Sequence, residues 1–389
     1  MPRIPPLPFK ATEVPRLHQP DAEVVWSPDF DVPAILTGCM TDWKLLDEME
    51  ASGSHEAKVA ALSRLFGAQE IRFSTLPKES GGNHDYRDPQ MRAEIVDFPD
   101  QSSPFDAFAQ RLLRSLNGAS DEYVYMRSFR PPVDSPVRSA MGRDVLPFLS
   151  GREPTRGVWI GSEGQVVNLH YDDFHNFICV ASGVKRVTMF HPGLLRYMYH
   201  APFDRMVSSV CHSHVRLLDP DLHRFPMFEA ALSEAHVATV KAGEVLFMPP
   251  YWWHHVESFD LSVMVNSWVL LAPIDIYDQL YEHLTGAIKL FARIDPGQRR
   301  AQQIVYAREV FSYPQPAAPT AGHGDDVLSK HLRETREFVA KLPRPVRAQL
   351  ERYYDQFVFQ VHGEPFPAQP GEFAAMVERN ASESTYFKR

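Results

Sequence analysis

The stretch Val166-Val167-Asn168-Leu169-His170-Tyr171-Asp172-Asp173-Phe174-His175-Asn176-Phe177-Ile178-Cys179-Val180-Ala181-Ser182-Gly183-Val184-Lys185 decides how this chain is read. His170 and Asp172 are two residues apart, so on a strand both side chains project from one face. Apolar residues flank the pair: Val158, Ile160, Val166, Val167 and Leu169 before it, Phe177, Ile178 and Val180 after it. Ser182-Gly183 then reads as a turn into a second apolar run, Lys185 to Phe190, closed by His191-Pro192-Gly193. A buried strand carrying two ligand-type side chains, with a hairpin behind it, is the rigid support that a metal site needs.

The triplet alone is weak. A chain with 17 histidines and 49 acidic residues produces His-x-Asp by chance, and a second one occurs at His323-Gly324-Asp325. That one lies in a Pro/Gly-rich stretch with no apolar alternation and reads as a chance match, as does His362-Gly363-Glu364. The first triplet gains weight from a second segment, Met248-Pro249-Pro250-Tyr251-Trp252-Trp253-His254-His255-Val256, which can supply a third ligand from another strand. Two histidines and one carboxylate on one side of a metal, with the other positions open, is the arrangement of non-haem Fe(II) oxygenases.

These segments resemble the JmjC-type, cupin-like family of 2-oxoglutarate-dependent oxygenases, and within it the asparaginyl-hydroxylase branch and the small JmjC protein hydroxylases. The likeness rests on N-L-H-Y-D at 168–172, Asn176-Phe177, S-G-V-K-R at 182–186, A-G-E-V-L-F-M-P-P-Y-W-W-H-H-V-E-S at 242–258, and V-N-S-W at 265–268. Val32 to Gly38, with Asp42-Trp43, is similar to the opening strand of many members; the likeness therefore runs from about 30 to 270. The resemblance implies a mainly β double-stranded β-helix (jelly roll) with flanking helices and a C-terminal helical region. It makes His170, Asp172 and His254 the Fe(II) ligands, with His254 preferred because the ligand precedes Val256 by two. His255, its neighbour on the strand, must face the other way.

The same resemblance assigns the 2-oxoglutarate site. Lys185 would hold the far carboxylate and Tyr125 would donate its hydroxyl to it, aided by Thr188. Asn176 and Asn266 would contact the cosubstrate near the metal, and Trp268 would wall the pocket. One departure stands out: where that branch carries a threonine three residues before the first histidine, this chain has Val167, whose side chain cannot hydrogen-bond. Asp173 and His175 read equally as groups beside the ligands and as surface residues at a strand end. Trp252, Trp253 and Trp268 also read as core aromatics, and for Trp252 that is the preferred reading.

The implied chemistry is hydroxylation of an unactivated C–H bond with Fe(II), 2-oxoglutarate and O2, on a peptide or protein side chain. The same chemistry on a small molecule or amino acid, and a non-catalytic metal-binding module, are the alternatives. A formal charge of −9 without a compensating basic stripe argues against a general nucleic-acid binder. Cys39, Cys179 and Cys211, at unrelated spacings, form neither a disulfide framework nor a zinc motif and suit a reducing, cytoplasmic setting. No apolar run approaches a membrane span and no signal segment follows Met1, so the Asn380-Ala381-Ser382 sequon carries no weight.

Three regions are expected: an N-terminal α/β segment over 1–124, the catalytic roll over 125–272, and a helical region over 273–389. Helices are expected near 58–66 and over 105–116, and Ser80–Asp88 reads as a loop overhanging the pocket. An insertion at about 192–236 brings His200, His212, His214, His223 and His236, whose spacings repeat no ligand pattern. After Pro273, Ile276, Leu280, Leu284, Ile288 and Phe291 recur at helical spacing, and further helices are expected at 298–311, 327–341 and 345–359. The resemblance implies a homodimer through these helices; packing against the chain's own barrel is the plain alternative.

Overall fold

The computed structural model describes residues 3–82 except 28, 101–142, 146–270 except 153 and 201–210, parts of 280–311, and 327–359. His323, His362 and most of the Ser80–Asp88 loop fall outside them. A boundary after Val269 separates two compact units.

Among its described residues the first unit has thirteen strands: β1 (Thr12–Glu13), β2 (Arg16–His18), β3 (Ala34–Thr37), β4 (Glu70–Pro77), β5 (Gln101–Pro104), β6 (Glu122–Phe129), β7 (Thr155–Gly161), β8 (Val166–Tyr171), β9 (His175–Phe190), β10 (Cys211–His212), β11 (His236–Lys241), β12 (Glu244–Met248) and β13 (Trp253–Val269). The two long strands, β9 and β13, pair antiparallel along almost their whole length, from Trp253 opposite Phe190 to Val269 opposite His175. Each changes its outer neighbour half-way. β9 runs beside β12 before Gly183 and beside β11 after it. β13 runs beside β8 up to Glu257 and beside β7 from Ser262. The sheet thus folds into two layers that share β9 and β13, the plan of a jelly roll.

The bend has a local cause. Gly183 has φ +80, and a Cβ there would sit 2.6 Å from the carbonyl oxygen of Leu261 on the facing strand. Only glycine allows that approach. Across from it Asp260 takes φ 105, held by its carboxylate, which accepts from the Leu261 N–H at 2.7 Å and pairs with His55 Nε2 at 2.6 Å. Lys58 donates to Ser182 Oγ at 3.0 Å, so one helix clamps both bends.

That helix, His55–Phe66, starts at Ser54, whose side chain accepts from the Ala57 N–H, and ends at Gly67. With Lys44–Ala51 and Phe105–Leu116 it covers the outer face of the second layer, meeting Phe177, Cys179, Ala181, Val263 and Val265. The alternate residues Ile178, Val180, Val187, Met189, Leu246, Val256 and Met264 fill the space between the layers. With both faces of this layer buried, its strands read as continuous apolar runs. Phe105, Phe108 and Leu112, three and four residues apart on one face of the last of these helices, are buried.

On the outer face of the other layer, Arg186 forms a two-pronged ion pair with Glu257 at 2.7 and 2.8 Å, both side chains buried. Arg186 also donates to the carbonyl of Pro5, tying the N-terminal segment to the roll.

The second unit is helical among its described residues: Pro296–Tyr306, Val327–Lys341 and Arg344–Tyr353, the first and last each continued by a wider turn. Leu280, Leu284, Ile288 and Phe291 are buried, as their spacing requires. Phe291 packs on Tyr306 and Phe359 at ring separations of 5.5 and 5.1 Å. No helix among the described residues is long and apolar enough to cross a membrane.

Candidate metal and cosubstrate site

His170 near the end of β8 and His254 near the start of β13 are cross-strand partners, with ring centroids 4.0 Å apart. Asp172, just past β8, lies with its Oδ2 3.8 Å from His254 Nε2. One ligand atom from each of the three comes within 4.8 Å of the others, the one such group of His, Cys, Asp and Glu among the described residues.

The histidines are set for a cation. His170 Nδ1 is 2.6 Å from the carbonyl of Asn168, and His254 Nδ1 is 3.0 Å from that of Trp252. A carbonyl only accepts, so both Nδ1 atoms carry the proton and both Nε2 lone pairs are free to ligate. Burial drives the His254 pKa well below its usual value, aided by the neighbouring His170, which keeps the ring neutral. Burial pushes the Asp172 carboxyl up; His170, the Trp268 N–H and the Asn176 amide pull it back down. Asn176 Nδ2 donates to Asp172 at 3.2 Å, whereas Trp268 Nε1 has no hydrogen-bond partner among the described residues. A carboxylate raised by burial beside two imidazoles that each present Nε2 fits a divalent cation, which would supply the missing positive charge.

A register shift explains why Val167 reaches the same space. From His254 to Val256 is two steps, while their partners His170 and Val167 are three apart. The extra residue in β8 is a bulge that returns Val167 to the inner face, where it packs against the apolar interior.

The cosubstrate residues separate into those the fold brings together and one it does not. Lys185 is fully buried between the layers, and its Nζ donates to Ser258 Oγ at 2.9 Å. Ser258 in turn meets Gln165 Oε1 at 3.3 Å. Lys185 forms no ion pair with a described acid, and burial lowers its pKa to about 7. Tyr125 alternates with Val124 and Met126 of the outer core, so it faces inward; burial pushes its phenol well above the usual range. Asn266 and Trp268 share a face with inward Met264. Asn266 Oδ1 accepts from Trp159 Nε1 at 2.7 Å, and Asn176 Oδ1 is buried without a partner among the described residues.

Thr188 does not join them. Strand alternation puts it on the opposite face of β9 from Lys185, Val187 and Met189, level with His255. His255 is outward as expected, buried near Arg186, its pKa lowered to about 3 by burial and then by that charge. His175 also turns away, its ring packed on Trp26 at 5.2 Å and Phe247 at 5.8 Å. Trp252 is interior core, its N–H bonded to the Asp31 carbonyl at 3.0 Å.

Two features escaped the sequence reading. On β7 the inward residues are Gly157, Trp159 and Gly161. A Cβ at 157 would lie 2.8 Å from Asn266 Oδ1, and one at 161 would lie 2.8 Å from the Tyr125 ring. The glycines thus make room for the two predicted side chains, and Trp159 between them holds the amide. The G-x-W-x-G alternation was a visible signal. The other is Ser258, whose role needs the β9–β13 register.

The family profile of the cupin-like domain matches residues 30–269. The chain belongs to the cupin-like, JmjC-type family. Members are generally Fe(II)- and 2-oxoglutarate-dependent oxygenases. It is similar to HSPB1-associated protein 1 of Rattus norvegicus, 30% identical over 258 residues, covering 64% of this chain and 50% of that protein. It is also similar to the lysine-specific demethylase JMJ31 of Arabidopsis thaliana, 31% identical over 154 residues, covering 39% and 26%. With the tRNA wybutosine-synthesizing protein 5 of Mus musculus it shares 28% identity over 231 residues, covering 56% and 67%. The match thus spans half of the first of these relatives and a quarter of the second.

Proposed function

We propose that this cupin-like protein is an Fe(II)- and 2-oxoglutarate-dependent dioxygenase that hydroxylates an unactivated C–H bond, on a peptide or protein side chain. The observation that carries the reading is Lys185. A buried ammonium with a single hydroxyl partner is costly unless an anion joins it, and it shares the inner space with a His-Asp-His cluster whose free lone pairs suit Fe(II).

His170, Asp172 and His254 would hold the metal. Fe(II) held there would supply the oxidative chemistry by which 2-oxoglutarate, O2 and a substrate C–H bond become succinate, carbon dioxide and a hydroxylated carbon. The chain's own residues do the rest. Lys185 anchors the far carboxylate, with the Tyr125 hydroxyl as a second donor. Asn176 steadies Asp172 through its amide N–H, leaving its own carbonyl oxygen to accept from a substrate N–H or a water. Trp159 fixes the Asn266 amide, so that Asn266 faces the cosubstrate in one orientation. Phe174, Trp159 and Trp268, each half-buried, form an aromatic border 5.9 and 6.2 Å ring to ring. That border keeps water from the oxidant and receives the apolar part of a substrate.

The names of the relatives point to different targets: a lysine side chain for one and a tRNA for another. The acidic charge of this chain supports a peptide over a nucleic acid. The test is turnover without substrate: purified protein with Fe(II), ascorbate and 2-oxoglutarate should release succinate slowly, and Asp172→Ala should abolish it. No succinate, together with no metal-dependent binding of 2-oxoglutarate, would refute the enzyme reading.

A further inference from the structure

The strand register sets three imidazoles in a row. His212 on β10 is the cross-strand partner of His170 on β8, and His170 is the partner of His254 on β13. Directly paired residues project from the same face of a sheet, so His212 stands on the ligand face beside His170. Its ring lies nearly parallel to that of His170, 5.3 Å between centroids and 22° between planes. The ligand pair itself is closer and more tilted, at 4.0 Å and 50°. His212 is outside the group whose ligand atoms come within 4.8 Å. It is half-buried, whereas His170 and His254 are buried. Among the described residues β10 has no further strand beyond it.

We infer that His212 is a positioning residue for the metal site. It acts through His170 by ring stacking and is not a ligand. This role rests on the reading of His170, Asp172 and His254 as metal ligands. His170 is fixed in its own plane by the bond from Nδ1 to the Asn168 carbonyl, but one hydrogen bond leaves the ring free to rock about it. His254 covers one side of the ring. A flat partner on the other side restricts that rocking and shields the ring from water. The insertion between β9 and β11, whose histidines repeat no ligand spacing, thereby gains a purpose: it returns a single imidazole to the exposed flank of the ligand strand.

The test uses the full chain and Co(II) as the probe, titrated without oxygen and read by calorimetry and by the visible absorption of the bound ion, which reports ligand geometry. Three variants separate the causes: His212→Ala removes the ring, His212→Leu fills the space without a flat face, and His212→Phe keeps the stack without any nitrogen. Partners that orient a ligating histidine are worth about 10- to 100-fold in metal affinity, and a single stack belongs near the lower end. Co(II) binding about tenfold weaker in His212→Ala and His212→Leu, with an altered absorption spectrum, and restoration of both by His212→Phe, is the expected result. The metal-free variants should melt with wild type, which a general packing role would not allow. Equal affinity in all four proteins would overturn the inference, as would equal weakening in all three variants, because the nitrogen would then matter and not the ring face. Wild type that binds no Co(II) would instead remove the metal-site reading on which the inference stands.

Discussion

Replacing Lys185 by methionine should make the metal-free, cosubstrate-free protein more stable at neutral pH while abolishing 2-oxoglutarate binding. Methionine matches the unbranched stem and carries no charge. The magnitude follows from the pKa, lowered by burial from 10.5 to about 7. The unfolded chain keeps this proton up to about pH 10.5, whereas the folded chain releases it near 7. Between those values the unfolded state binds more protons, so stability rises with pH across that window; below 7 the penalty is full and constant. A shift of about 3.5 units corresponds to about 5 kcal/mol at low pH, about 4 at pH 7 and about 2 at pH 9.

Between pH 7 and 9 this one group should therefore return about 2 kcal/mol of stability to the apoprotein. Lys185→Met should remove that slope and exceed wild type at pH 7 by up to about 4 kcal/mol. The lost bond to Ser258 subtracts about 1 kcal/mol; it leaves no orphan, because Ser258 keeps Gln165. Urea unfolding at pH 7 and pH 9, with and without saturating 2-oxoglutarate, measures all of this. In wild type the dianion supplies the missing countercharge and flattens the slope; in the variant it does nothing. A variant no more stable than wild type, with a pH-independent difference, would show that the ammonium is already compensated. The reasoning for an anion seat would then fail.

The other perturbations test separate links. Val167→Thr places a hydroxyl on the inner face opposite Val256 and should tighten 2-oxoglutarate binding by about 3- to 10-fold, one net hydrogen bond; calorimetry showing weaker or unchanged binding would mean that this bulge does not face the cosubstrate. Gly161→Ala drives a methyl to 2.8 Å from the Tyr125 ring and should raise the KM for 2-oxoglutarate severalfold with little loss of metal affinity. Gly183→Ala forces the bend into a backbone oxygen at positive φ and should cost about 2–4 kcal/mol in urea unfolding. Arg186→Met strands the buried Glu257 and should cost about 3–5 kcal/mol, leaving metal binding intact because the pair lies on the outer face.

What the sequence shows and what it hides divide along one physical line. His170 and Asp172 were legible because strand alternation acts over two residues, and Asn176, Lys185 and His254 because the family motifs carry their spacing. Thr188 was misplaced. The resemblance set it beside Lys185 as a helper for the far carboxylate, while the pleat sends it to the other face, beside His255. Val167 shows the opposite failure: simple alternation from His170 turns it outward, and only the bulge in β8 brings it back. The row His212–His170–His254 depends on the pairing of three strands that are far apart in the chain. No local pattern encodes it. Register is a collective property of the roll, set by the bend at Gly183 and the long β9–β13 seam. The candidate ligands can therefore be named from a motif, whereas the side chains set beside them become visible only once the strands are paired.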